Sequence, residues 1–283
     1  MKLIGVVVTY FPELEMLKKN ISSYISDLDH LIIWENTPSG ERNYSCEEIK
    51  KISGKITFAG VGENVGIGKA LNFGVNCLLS NDFDFLITFD QDSYFAPGML
   101  ERYKEKISKN ENPNIGIFGV NYTAREKLAY KNDNENTIML VKECITSGSA
   151  FPRSTFEKGL LFDEELFIDA VDFDFCYKAN KKYALQTVIL TDIILNHKIG
   201  YSENTLKGRI SDNYSAFRTF YLIKNQIYIW RRYPHLYPIR KKKHLIVKYI
   251  GLRYISVLLF EEDKFAKLKS ISKGILFGIS KKI

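Results

Sequence analysis

The sequence predicts an α/β protein built on a doubly wound sheet, and three observations carry that prediction. Short apolar runs rich in β-branched and aromatic residues recur along the chain, separated by segments whose apolar residues fall at helical spacing. The runs are nearly continuous in apolar character, as strands covered on both faces must be. Polar and turn residues, several of them acids, stand where the runs end, which in open α/β sheets is the edge where ligands bind. With 283 residues and 45% hydrophobic content, the chain can fill a sizeable core.

Val6, Val7 and Val8 form the first strand, which ends at Thr9 and Tyr10. Pro12 then stands at a suitable helix start, with Leu14, Leu17 and Ile21 at helical spacing. His30 to Trp34 is a second strand ending at Glu35 and Asn36, followed by turn chemistry from Thr37 to Gly40. Lys55 to Phe58 reads as a third. Between the third and fourth strands, Gly66 and Gly68 permit a close backbone approach to a ligand. Residues from Ile67 and Lys69 onward open a helix with its amides toward the ligand edge. The stretch matches neither the P-loop nor the G-x-G-x-x-G pattern.

Phe85 to Phe89 is the fourth strand, with only Thr88 polar, and it stops on Asp90, Gln91 and Asp92. Two carboxylates one residue apart at a strand end suit a hard divalent ion, which takes few protein carboxylates and leaves positions open to substrate phosphates. The plainer reading of Asp-x-Asp is a strand end and a helix cap.

Met99 and Leu100 begin another helix, and Ile115 to Val120 a further strand. Residues 121–135 are polar without an apolar period and read as a variable loop. Strand character returns from Ile138 to Ile145, ending in Thr146-Ser147-Gly148-Ser149-Ala150. Those small residues fit either a backbone passing close to a bound sugar or an ordinary turn. A second acidic cluster, Asp169, Asp172 and Asp174, falls in the first turns of a helix, where the dipole favours carboxylates. Apolar neighbours Phe173, Phe175 and Cys176 put at least one of these acids in a partly dry place, where it can act as a general base. Spacing does not choose which. Thr187 to Leu190 and Ile193 to Leu195 are strands, and His197 follows where a metal or diphosphate ligand is wanted, although a lone His is more often structural. Tyr214 to Arg232 is a long aromatic helix, with Arg218, Lys224 and Asn225 as polar exceptions.

The net charge of +7 is uneven: from Arg231 to Ile283 the chain carries +11, and the first 230 residues carry −4. These cations alternate with Leu, Ile, Val, Tyr and Phe, which argues against nucleic acid and for a membrane surface, a helical cap or a homodimer contact. The widely spaced Cys46, Cys77, Cys144 and Cys176 form no C-x-x-C pair and predict free thiols in a reducing compartment. The first apolar run is too short for a signal segment, so a cytoplasmic protein is expected.

Taken in order, Val7-Val8-Thr9-Tyr10, Glu35-Asn36, Asn64-Val65-Gly66-Ile67-Gly68-Lys69, Phe89-Asp90-Gln91-Asp92-Ser93, Ser147-Gly148, Val171-Asp172-Phe173-Asp174 and His197 resemble the family-2 inverting glycosyltransferases of GT-A fold. The likeness is most to bacterial rhamnosyltransferases and covers about residues 3–230. It implies a Rossmann-like mixed sheet flanked by helices, a catalytic domain at 1–230 and a basic, helical C-terminal extension at 231–283. It also implies a divalent metal (Mn2+ or Mg2+) on Asp92 with help from His197, and a donor nucleotide held by Thr9, Tyr10, Glu35, Asn36, Asn64, Gly66, Ile67, Lys69, Asp90 and Gln91. Asp172 matches the base, with Val171 where the family often has Glu, and Ser147, Gly148 and Arg218 would meet sugar or acceptor. The implied donor is dTDP-rhamnose, the acceptor a cell-surface polysaccharide or lipid-linked glycan, and the location the cytoplasm or the inner face of the plasma membrane. Another donor, such as a galactofuranosyl or hexosyl nucleotide, and a non-catalytic membrane-associated binding protein are the alternatives.

Overall fold

In the computed structural model, which describes residues 1–124, 127–131, 137–197, 203–204, 210–211 and 213–283, the apolar runs become strands in the predicted order. The first half comprises β1 (Leu3–Thr9), α1 (Leu14–Ser22), β2 (His30–Glu35), α2 (Cys46–Lys50), β3 (Ile56–Ala59), α3 (Gly66–Ser80) and β4 (Phe85–Asp90). There follow β5 (Ser93–Phe95), α4 (Met99–Ser108), β6 (Ile115–Ala124), β7 (Lys127–Leu128), β8 (Ile138–Val141), β9 (Ala150–Pro152), α5 (Arg153–Glu157), α6 (Val171–Tyr183) and β10 (Gln186–His197). The sheet order is β3-β2-β1-β4-β9-β6-β10-β5, with β7 on β6 and β8 on β10. Strands β3, β2, β1 and β4 are parallel, and their register sets Thr9 opposite Glu35 and Val8 opposite Asp90. The carboxyl ends of three strands therefore share one edge.

By contacts the chain forms two compact units, residues 1–164 with 175–199, and residues 165–174 with 200–283. In the first, β1, β2 and β4 bury Leu3, Val7, Leu31, Ile33, Ile87 and Phe89 against Leu17 and Ile21 of α1 and Leu100, Tyr103 and Ile107 of α4. Each such side chain contributes about 1.5–3 kcal/mol when taken fully out of water. A separate aromatic cluster gathers Phe151, Phe156, Phe162 and Phe175, with Phe162 stacked on Phe175 at 4.2 Å.

Three features depart from the local sequence pattern. The sheet is mixed: the short β9 lies antiparallel to both β4 and β6, and at three residues it is too short to show any period. Residues 187–195 belong to one twelve-residue strand, interrupted by an irregularity between Leu190 and Ile194. Within that bulge the buried Asp192 binds Arg102 and Lys106 of α4, which explains the polar break in the apolar run. Part of the expected loop at 121–135 is strand: β6 runs on to Ala124 and pairs with β7, while 125–126 and 132–136 lie outside the described residues. The carboxamide of buried Asn121 holds Tyr130 by both its N–H (3.1 Å) and its C=O (2.9 Å). All four cysteines are free, with Cys144 and Cys176 buried and Cys46 and Cys77 half-buried.

The second unit holds β11 (Glu203–Asn204) paired with β12 (Ile210–Ser211), α7 (Ala216–Arg232), α8 (Ile239–His244), a π-helical stretch Leu245–Leu252, α9 (Arg253–Phe260) and α10 (Lys264–Ser280). The sequence boundary at 230/231 falls near the end of α7, whose Leu222, Ile223 and Ile227 share a core with Leu245, Val257 and Ile271. Helix α10 lies on α7 through Gly274 and Gly278. A Cβ at Gly278 would stand 2.8 Å from Ile227 Cβ and 2.9 Å from the Lys224 carbonyl, which backbone cannot yield cheaply. Gly278→Ala gains about 1 kcal/mol of helix propensity. Overpacking of about 1–3 kcal/mol outweighs it. The variant is therefore expected to melt lower than the parent in thermal denaturation, and a higher Tm would refute the tight contact.

Beneath this core, Glu261 accepts from Arg253 Nη1 (2.7 Å), Lys267 Nζ (3.0 Å) and Ser256 Oγ (3.1 Å), all three charged groups being buried. No helix among the described residues is long and apolar enough to cross a membrane.

Candidate active site

In the first unit, one hydrogen-bonded cluster holds the end of β4. The Asp90 N–H donates to Ser147 Oγ at 3.0 Å, and Ser147 Oγ donates to Ser93 Oγ at 2.8 Å. The turn carrying Ser147 is pinned to the strand from which Asp90 emerges, since Gly148 N–H donates to the Thr88 carbonyl (2.7 Å) and Thr88 Oγ1 to the Thr146 carbonyl (2.6 Å). Ser147 is 1% exposed and Gly148 is buried at φ 76°. Their part is to fix the carboxylate loop from inside. Asp90, Gln91 and Asp92 remain half-buried at the edge.

Gln91 joins β4 to β1. Its Oε1 accepts from Tyr10 N–H at 2.8 Å and its Nε2 donates to the Tyr10 carbonyl at 3.2 Å. Tyr10 and Phe11 therefore stand out at the edge, both about half exposed and packed edge-to-face at 4.6 Å. Phe11 has φ 45° and its N–H donates to Thr37 Oγ1 at 2.8 Å. In the sequence, Tyr10 and Phe11 are two adjacent aromatics at a strand end.

Thr9, Glu35 and Asn36 sit where expected along the chain, but their side chains are turned into the protein. Thr9 Oγ1 donates to the Trp34 carbonyl (3.1 Å). Glu35 accepts from Thr37 N–H (2.7 Å) with one oxygen and from the Tyr44 hydroxyl with the other. Asn36 Nδ2 donates to the Gly66 carbonyl (3.2 Å), and its Oδ1 accepts from Trp34 Nε1 (3.0 Å) and Val65 N–H (3.3 Å). All three are buried, and these bonds shape the edge.

Helix α3 begins at Gly66, whose N–H donates to Asn64 Oδ1 at 3.0 Å. Lys69 is exposed in its first turn and Ile67 half-buried. The close approach at Gly68 is made to the chain itself, because a Cβ there would lie 2.9 Å from the Asp163 carbonyl. One turn on, the Asn72 carboxamide brackets the same segment through Phe162 N–H (2.8 Å) and C=O (3.0 Å). At the other side of the cluster, the backbone of His197 pairs with Ser93, next to Asp92; Lys198 to Gly200 lie outside the described residues.

The second unit carries the acids of the second cluster. Asp174 is 0% exposed, and its Oδ1 accepts from Arg232 Nη1 (3.0 Å) and the Tyr233 hydroxyl (3.1 Å). Beside this negative charge, burial above all pushes the Tyr233 hydroxyl far above its ordinary pKa. Asp169 is held by Arg218 through Nε (3.3 Å) and Nη2 (3.1 Å), so Arg218 is engaged with a neighbouring acid. Asp172 is half-buried in the first turn of α6, its Oδ1 accepting from Phe173 N–H at 2.9 Å.

The approach to Asp172 is strained: Phe167, Asp169 and Ala170 have φ of 63°, 61° and 67°. Non-glycine residues of this kind persist only where neighbours over-determine them. Asn225 does so from α7, its Nδ2 donating to the carbonyls of Leu166 (2.8 Å), Ile168 (2.8 Å) and Asp169 (2.9 Å) from a fully buried position. Lys224 Nζ adds the Glu165 carbonyl at 3.0 Å. Asn225→Leu leaves three carbonyls without this donor, at a cost of about 1–3 kcal/mol. Faster hydrogen exchange in residues 165–171 is the expected readout, and unchanged exchange would refute the clamp.

Comparison with known proteins adds four findings. The family model described as "Glycosyl transferase family 2" matches residues 5–185. The chain is 28% identical over 254 residues to "dTDP-rhamnosyl transferase RfbF" of Shigella flexneri, covering 84% of this chain and 83% of that protein. Among solved structures it is similar to Staphylococcus aureus TarS 1-349 in complex with UDP-GlcNAc, at TM-score 0.61 and 12% identity, over 97% of this chain and 82% of that one. It is also similar to the mannosyltransferase PcManGT from Pyrobaculum calidifontis in complex with GDP-Man and Mn2+, at TM-score 0.58 and 10% identity, over 100% of this chain and 76% of that one. The mixed sheet flanked by helices is the GT-A arrangement of these neighbours, and this chain also carries a helical C-terminal extension.

Proposed function

This chain belongs to glycosyl transferase family 2 and is a glycosyltransferase, and on that premise we propose that it moves rhamnose from dTDP-rhamnose to a hydroxyl of a cell-surface polysaccharide or lipid-linked glycan, with inversion. The observation that carries the reading is the Asp90–Asp92 loop at the end of β4, fixed by Ser147 and Gln91 at the edge where β1 and β2 also end. The rhamnosyl assignment rests on the similarity to RfbF along most of both chains.

Tyr10 and Phe11 are the aromatic surface for the donor's base, with Asn64, Ile67 and Lys69 lining the start of α3. Asp90 and Asp92 are hard oxygen donors, one residue apart at the end of β4. That sparse set fits a divalent ion completing its shell on substrate diphosphate. Asp92, with His197, would hold it. When bound, such an ion supplies Lewis-acid stabilisation of the departing diphosphate. The Asp172 carboxylate takes the proton of the acceptor hydroxyl while that oxygen attacks the anomeric carbon, and the bond to the diphosphate breaks on the opposite face. One displacement inverts the centre.

Release of nucleoside diphosphate from dTDP-rhamnose by the purified chain with its acceptor, with and without Mn2+ or Mg2+, tests the reading. The donors named with the solved neighbours, GDP-Man and UDP-GlcNAc, belong in the same panel with a galactofuranosyl nucleotide. Turnover of one of those instead overturns the rhamnosyl assignment. Failure to bind any sugar nucleotide overturns the reading of the donor site.

A further inference from the structure

The basic tail divides into cations used inside the protein and an apolar face left outside. Arg253 and Lys267 are buried on Glu261, Arg232 is bound to Asp174, and Arg231 Nη1 donates to the carbonyls of Gly278 (3.0 Å) and Lys281 (2.8 Å). Arg240, Lys243, Lys264, Lys269, Lys273 and Lys282 are exposed. The continuous helical stretch from Leu245 to Phe260 buries Leu245, Arg253 and Val257 on one side. Ile246, Val247, Tyr254, Ile255, Leu258 and Leu259 stand on the other, each 44 to 61% exposed. An apolar face of this extent is unusual on a monomer in water and marks an interaction surface.

We propose that this face lies in the interfacial layer of an anionic lipid bilayer, with the helix parallel to the surface. Charge complementarity selects the partner. The exposed cations Arg240 and Lys243 stand in α8, which runs directly into the helical stretch that bears the apolar face. An apolar stripe beside Lys and Arg is the pattern of a helix lying on a membrane, where the cations meet anionic headgroups. A second copy of the chain would instead set two tails of net +11 against each other. Crossing is excluded for this stretch by its length and by buried Arg253. The inference is independent of which sugar the enzyme moves.

Flotation of the full chain with vesicles of phosphatidylcholine, alone or mixed with phosphatidylglycerol, decides it. Binding to the mixed vesicles at low salt is expected, and Ile255→Glu with Leu259→Glu should weaken it by about a hundredfold or more, from the loss of two buried side chains. Arg240→Gln and Lys243→Gln should each weaken it by roughly fivefold. These exposed changes should leave the melting temperature unchanged, which separates lost binding from lost folding. No flotation at low salt, or flotation indifferent to the double Glu variant, overturns the proposal. So does a solution dimer that the double variant dissociates while the parent ignores vesicles, which would assign the face to a second copy.

Discussion

Asp172→Asn is expected to slow sugar transfer by orders of magnitude while donor binding survives. Asparagine keeps the size of the side chain and an oxygen for the Phe173 N–H, so the first turn of α6 stands. It cannot take up the acceptor's proton, and loss of a positioned general base lowers the rate by roughly 10²–10⁴. The matching control is Asp174→Asn, which lies two residues away and removes a carboxylate bound to Arg232 and Tyr233. Its expected effect is on stability. Nucleoside diphosphate release gives the rates and calorimetry with the unreacted donor gives binding. If Asp172→Asn kept its rate within about tenfold while a folded Asp174→Asn lost it, the assignment of the base would pass to Asp174.

The largest loss of stability is expected at Glu261, outside every motif of the family. Its carboxylate is the common partner of buried Arg253 and Lys267, while Arg253 Nη2 also donates to the Tyr214 carbonyl (2.8 Å) and Thr219 Oγ1 (3.1 Å). Glu261→Gln removes the charge and leaves two cations in a dry site, a change that costs about 3–5 kcal/mol when one partner of a buried pair is deleted. For a chain of this size that corresponds to a fall in Tm of about 10 °C. Trp230, packed against the same core, offers a fluorescence readout of the unit that melts. An unchanged Tm would show that the pair is solvated in solution. Replacing all three charged residues by apolar ones of similar volume should be far milder, since the penalty comes from the orphaned charges.

Legibility in the sequence followed the range of the interactions. The strands of the parallel half, the helix of residues 14–22 and the long α7 were readable because a strand or helix repeats its apolar pattern within a few residues. β5 and β9, three residues each, and the Asp192 bulge were not, since their conformation answers to partners far along the chain. The ordered set of motifs from Val7 to His197 resembled the family-2 glycosyltransferases, and the family match over residues 5–185 bears that out.

What the sequence alone determined is the chemical inventory and its order: two acids after a buried strand, a third acid opening a later helix, and a tail that is basic and apolar together. Tertiary structure decided how each group is used. Ser147, 57 positions from Asp90, braces that loop from inside, and Arg232, 58 positions from Asp174, is bound to that acid. The reason is physical: a polar side chain buried by folding needs a partner, and that partner comes from wherever the fold brings one. Local pattern shows that a carboxylate is present, but only the packed chain decides whether its charge is already engaged.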